Sequence, residues 1–144
     1  MLKRFLPLRR QQEGAPVFTV LVVSDDAATS ALVCETLIEK GYAVHATATI
    51  TEAIDTLKTI PVPHLMIGDF VRPEVDGVEF LTHARTHIGK STLPPVLFLV
   101  DAKEDEIAAR AVGAQELLAK PVDAAALVAC VGKLVSSGKA AAGS

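Results

Sequence analysis

HLMIGDFVRPEVDG, His64–Gly77, runs from an apolar segment into a carboxylate, passes a proline and closes on Asp-Gly. Pro61-Val62-Pro63 interrupts the chain just before it, so His64 to Asp69 reads as a strand that starts after a break. Beyond the turn, Val78, Leu81, Ala84 and Ile88 recur at helical intervals, and the spacing predicts a helix from about Gly77 to Ile88. Taken alone, Asp69 is an ordinary residue at a strand end, and Asp76-Gly77 is an ordinary turn. What they mean depends on what the rest of the chain places beside them.

The same change of period recurs on both sides. Val17 to Val23 is a short apolar run rich in β-branched residues, as a strand buried on both faces requires. Thr29 to Lys40 carries Leu32, Val33, Thr36 and Leu37 at helical spacing and stops at Gly41. Tyr42 to Thr47 reads as a strand. Ile50 to Leu57 places Ile50, Ala53, Ile54 and Leu57 on one stripe, with Thr49 as its cap. Downstream, Pro94-Pro95 introduces the strand Val96–Val100. A short helix from Ile107 to Val112 ends at Gly113, a fifth strand covers Glu116 to Ala119, and Asp123 caps a last helix to about Val135. Five strand–helix units predict an α/β fold: a doubly wound, five-stranded parallel sheet of the flavodoxin-like kind, with helices on both faces.

The totals agree with one domain of 144 residues, 50% hydrophobic and only 4% aromatic, so its core must be aliphatic. A net charge of −3 gives no electrostatic footprint for nucleic acid. No apolar run approaches the roughly 20 residues of a membrane span. Residues 1–16 are basic but lack the continuous apolar segment of a secretory signal, and read as an N-terminal tail. The ordered domain is expected over 17–135, with 136–144 a small, polar, frayed C-terminal tail and no output domain after it. Cys34 and Cys130 lie far apart, read as small buried hydrophobes, and suit a reducing cytoplasm.

Ligands of such sheets bind outside the carboxyl ends of the strands. The residues at those ends are Ser24-Asp25-Asp26, Asp69, Val100-Asp101 and Lys120. If the first, third, fourth and fifth strands are neighbours, several acids and one lysine share a crevice.

At these residues the chain resembles the receiver domain of bacterial two-component response regulators. The resemblance rests on VVSDDA, GDFVRPEVDGVEFL, LPPVLFLVDA and GAQELLAKPVD, and covers nearly the whole ordered chain. Asp69, Pro73, Asp76 and Gly77 match the family's spacing around its acceptor, and Lys120-Pro121, preceded by Gly113-Ala114, matches its strand-five lysine. The resemblance implies phosphoryl transfer to Asp69 from a histidine kinase or phosphotransfer protein, and signalling through a downstream protein partner. It implies that Mg²⁺ is held by Asp25, Asp69 and the backbone carbonyl of Val71, with Asp26 as an additional candidate, and that Lys120 contacts the phosphoryl group. A carboxylate attacking phosphorus must overcome the repulsion of anionic oxygens, which explains this pairing of a hard cation with a lysine. No enzymatic activity is implied beyond phosphoryl acceptance and slow self-dephosphorylation.

Four positions depart from the family pattern. A gapless alignment puts Ser24 where the first strand-one acid belongs, which predicts weakened Mg²⁺ binding. Val100 or Asp101, depending on register, replaces the hydroxyl that usually ends strand four. Leu117 stands where the family carries an aromatic switch. Arg72 precedes Pro73 where an apolar residue is common, and reads as a solvated loop arginine. An atypical pseudo-receiver, acting as a phosphorylation-independent protein-binding module, is the alternative that Ser24, Val100-Asp101 and Leu117 motivate. His83 and His87 sit four apart on one helix but lack a third metal ligand and read as a solvated face. His45 and His64 flank strands without an assigned role. Lys103-Glu104-Asp105-Glu106 reads as the start of the fourth helix, its acids favourable at the positive helix end.

Overall fold

A computed structural model describes residues 18–72, 75–88, 93–101 and 105–143. Tail residues 1–16, together with Val17, Pro73, Lys103-Glu104 and Ser144, lie outside these. The elements follow the alternation in the sequence: β1 Thr19–Val23, α1 Ala27–Glu39, β2 Ala43–Thr47, α2 Ile50–Thr59, β3 Leu65–Asp69, α3 Gly77–Ile88, β4 Val96–Val100, α4 Asp105–Ala111, β5 Glu116–Ala119 and α5 Ala124–Gly143. All the pairings in the sheet are parallel, in the order β2-β1-β3-β4-β5. The chain leaves β1 for β2 on one side and returns to β3 on the other, so the strand order reverses between β1 and β3. Crevices in open α/β sheets form at that reversal.

Period-two alternation along the central strands separates two cores. Leu21, Val23, Met66, Phe98 and Val100 face Ala53 and Ile54 of α2, Phe80, Leu81 and Ala84 of α3, and Ala109 of α4. Val20, Val22, Leu65, Ile67, Leu97 and Leu99 face Val33 and Leu37 of α1 and Leu127, Val131 and Leu134 of α5. Both faces of β1, β3 and β4 are thus covered, which is why these strands read as continuous apolar runs.

Local chemistry sets the helix limits. Asp26 caps α1, and its other end closes in a Schellman turn: Gly41 at φ +96° donates to the Ile38 carbonyl, and Tyr42 donates to that of Leu37, each at 3.0 Å. Thr49 Oγ1 accepts from Glu52 N at 3.1 Å, while Glu52 Oε1 accepts from Ala48 N at 2.8 Å. Asp123 Oδ2 accepts from Ala126 N at 2.9 Å at the start of α5. That helix continues to Gly143, past the frayed end expected after Val135. The Lys139-Ala-Ala-Ala run has the propensity to extend it, because alanine loses the least on entering a helix. A two-residue antiparallel pair, Val71–Arg72 with Val75–Asp76, bridges β3 and α3 where a plain turn was expected.

His64 gains a role that its sequence position did not reveal. Its Nδ1 accepts the Thr19 N–H at 3.0 Å, and its ring meets Phe18 edge-on at 5.0 Å, fastening the entrance of β3 to that of β1.

Candidate functional site

Asp69 closes β3 and is fully buried, which for an ionised carboxylate demands compensation. Two groups supply it. The Asp25 N–H, on the loop after β1, donates to Oδ2 at 3.1 Å. Lys120, one residue past β5, brings Nζ within 2.7 Å of Oδ1, with its side chain only 8% exposed. This second contact is an ion pair without hydrogen-bond geometry, and neither Asp69 Oδ1 nor Lys120 Nζ has a hydrogen-bond partner among the described residues. The acceptor oxygen and the lysine therefore carry unspent hydrogen-bonding capacity in a buried place. The Lys120 N–H donates to the Val100 carbonyl at 2.9 Å, and the Lys120-Pro121 peptide is cis.

The strand-one acids separate into two roles. Asp26 turns back over α1: Oδ2 accepts the Thr29 hydroxyl at 2.7 Å, and Oδ1 accepts the Thr29 N–H at 3.3 Å. The Thr29 hydroxyl, then its N–H, holds the Asp26 carboxyl below the usual carboxylate range. Asp25 instead extends over the crevice, where Arg72 Nε meets its Oδ1 at 2.6 Å. The solvated loop arginine expected at this position is thus a salt-bridge partner, its side chain 33% exposed against 12% for Asp25. The Asp25 hydrogen bond, and then its charge, push the guanidinium above its ordinary value. The reason lies in the short strand pair: Arg72 pairs with Val75 and leads into a helix whose cap, Asp76 Oδ1, accepts from Val78 N at 2.9 Å and Glu79 N at 3.1 Å. A free loop would leave Arg72 in solvent. This one is pinned at both ends.

Ser24 is buried. Its N–H donates to the Thr47 carbonyl at 3.0 Å, and its Oγ accepts the Asp26 N–H at 3.2 Å. It stabilises the loop that presents Asp25. Of the two candidates for the hydroxyl at the end of β4, Val100 is buried in the α2–α3–α4 core. Asp101 sits at the rim, 47% exposed, with Oδ2 at 3.7 Å from Lys120 Nζ. Leu117 packs against the same core as Val100.

Gly77 has a packing reason. A Cβ there would lie 2.8 Å from Phe70 Cδ1 and 2.8 Å from Phe98 Cε1. Those rings meet at a tilt of 56°, their centroids 5.1 Å apart, beneath the start of α3. Asp-Gly is therefore more than a turn signal, because the glycine lets α3 start against two phenylalanines.

The fit of a divalent cation can be judged from the donors. Asp69 Oδ1 and the Asp25 carboxylate are hard oxygens in one crevice and suit Mg²⁺. Asp26 is committed to its helix, and Arg72 already occupies Asp25 Oδ1. Among the described residues, no group of three His, Cys, Asp or Glu side chains is poised to hold a metal. The set fits an ion held by two carboxylates and backbone or water oxygens, with Arg72 beside it. Elsewhere, His83 lies 3.8 Å from Glu79 on an exposed helix face. Cys34 and Cys130 are half-buried free thiols, both pushed up by burial.

A parallel sheet in this order, with a buried acid after β3 facing a lysine after β5, defines a class. Residues 20–132 match the model of the response regulator receiver domain, and the chain belongs to that family, the receivers of two-component signalling. It is 34% identical over 113 residues to an uncharacterized 14.6 kDa protein in the sodA1 3′ region of Leptolyngbya boryana, covering 78% of this chain and 86% of that one. It is 31% identical over 126 residues to the transcriptional regulatory protein TrcR of Mycobacterium tuberculosis, covering 86% of this chain but 47% of TrcR. A solved structure of a putative response regulator from Chloroflexus aurantiacus superposes with a TM-score of 0.75 at 29% identity, over 84% of this chain and 99% of that one. No helix among the described residues is long and apolar enough to cross a membrane.

Proposed function

We propose that Asp69 accepts a phosphoryl group from a histidine kinase or phosphotransfer protein, and that the modified domain signals by changing its affinity for a protein partner. The observation that carries this reading is the buried Asp69 Oδ1, without a hydrogen-bond partner among the described residues and 2.7 Å from Lys120 Nζ. Asp69 attacks the phosphorus in line. The bond from phosphorus to the donor's imidazole nitrogen breaks as the new P–O bond forms, and the departing imidazole takes up a proton. Lys120 then meets the transferred oxygens as a point charge instead of the bare carboxylate. Mg²⁺, when held by Asp25, Asp69 and the Val71 carbonyl, would supply further positive charge to those oxygens. This activity belongs in the cytoplasm, where free thiols such as Cys34 and Cys130 persist.

A second reading, a binding module that works without phosphorylation, draws on Leu117 and Asp101. Neither offers the hydroxyl or the rotating ring that would relay the modification. Incubation with Mg²⁺ and acetyl phosphate, read by intact mass, tests the first reading. A phosphoryl adduct is expected in the parent chain and absent in Asp69→Ala. No adduct at high Mg²⁺, with partner capture undiminished by Asp69→Ala, would establish the second.

A further inference from the structure

We infer that Arg72 takes the cation position beside Asp25 and competes with a divalent ion for that carboxylate, so that this residue sets the metal demand of the crevice. The inference deepens the proposed function and rests on its assignment of Asp25 and Asp69 as the ion's carboxylates. Arg72 Nε lies 2.6 Å from Asp25 Oδ1, and a guanidinium cannot shed its charge to make way. Its backbone is fixed by pairing with Val75, so the contact is delivered by the fold rather than by a wandering side chain.

Both carboxylates assigned to the ion also have a partner without it: Lys120 for Asp69 and Arg72 for Asp25. Asp26 is bonded to Thr29. Mg²⁺ demands a near-octahedral set of oxygens and gives up water reluctantly. It gains Asp25 Oδ1 only if the guanidinium leaves, and the departing cation must then be solvated. A neutral side chain at position 72 removes that competition and makes the crevice more negative by one charge.

The test is a Mg²⁺ titration of the full chain without any phosphoryl donor, followed by backbone amide shifts at Asp25, Asp69 and Val71. Arg72→Gln is expected to tighten Mg²⁺ at least about tenfold relative to the parent, and Arg72→Lys by less, since lysine keeps the positive charge that competes for Asp25. Asp25→Asn in the Arg72→Gln background should reverse the gain. Amide dispersion checks that each variant is folded, and Arg72→Met, with a stem of comparable length, replaces Arg72→Gln if the latter is not. Equal or weaker Mg²⁺ binding in the folded neutral variant overturns the inference, as does the absence of any Mg²⁺ response in all variants. The two readings fail separately. Tightening without an acetyl phosphate adduct keeps the role of Arg72 and removes that of Asp69 as acceptor, whereas an adduct with unchanged Mg²⁺ affinity does the opposite.

Discussion

The two halves of the carboxyl edge of the sheet are held together by different forces. On the β1–β3 side, Asp25 pairs with Arg72 at 2.6 Å, and Asp69 is held at 2.7 Å by Lys120, which reaches across from the end of β5. On the β4–β5 side, Phe98, Val100 and Leu117 are packed into the core beneath α2, α3 and α4, and Asp101 lies at the rim in loose contact with Lys120. A charged half changes its ligands at small cost only by exchanging one cation for another, since a buried carboxylate left without a partner is costly. A packed half cannot move a side chain without opening a void. In this chain the groups proposed to take up a phosphoryl group and the residues that would report it are thus under different physical control.

The largest effect that should separate the halves is Phe98→Ala. Phe98 is fully buried against Gly77, Phe70 and α3, and its loss should cost about 3–5 kcal/mol in urea unfolding. A loss below about 1 kcal/mol would contradict the packed half. Gly77→Ala should follow, at about 1–3 kcal/mol, because its Cβ would drive into two buried rings at 2.8 Å. Its melting temperature, compared with that of the open position Gly132→Ala, shows whether the clash is real.

On the charged half the changes are smaller. Asp26→Ala should cost about 1 kcal/mol through loss of the α1 cap. The sign with pH follows from the depressed Asp26 value. The contribution is present in full above the unfolded-state carboxylate range, about pH 4, and is lost as pH falls through the lower folded value. The stability gap between parent and variant should therefore shrink on acidification, and a gap that widens below pH 4 would exclude this cap. Asp101→Thr should leave stability nearly unchanged but raise the acetyl phosphate adduct about two- to fivefold, the range expected for removing a half-exposed like charge. An unaltered adduct yield would show that Asp101 does not face the incoming group.

The fold was legible because its signal is redundant. Each strand end, each cap at Thr49 and Asp123, and the stops at Gly41 and Gly113 carry local chemistry that acts over a few residues. The acid and lysine positions were legible for the same reason, since strand ends in a parallel sheet converge on one edge. What Arg72 does was not legible. Its partner is 47 residues away in sequence, and the contact depends on the short strand pair at Val71–Asp76. Between Asp25 and Asp26, the gapless alignment favoured Asp25 for the crevice and left Asp26 as cap or additional ligand, and the backbone direction gives Asp26 to the helix. His64 was missed because its acceptor role needs the Thr19 N–H across the sheet.

By itself, the sequence determined the five-fold strand–helix alternation and the acids and lysine at the strand ends, because periodicity and capping are local properties of the chain. The expected aliphatic core holds on the α1–α5 face, while the other face is built around Phe70, Phe80 and Phe98. Only the tertiary structure decided that Asp26 serves the helix, that Val100 is buried while Asp101 is at the rim, and that Arg72 carries the charge opposite Asp25. Those outcomes depend on distances between segments remote in sequence, and an ion pair exists only where folding brings both charges to the same few ångströms.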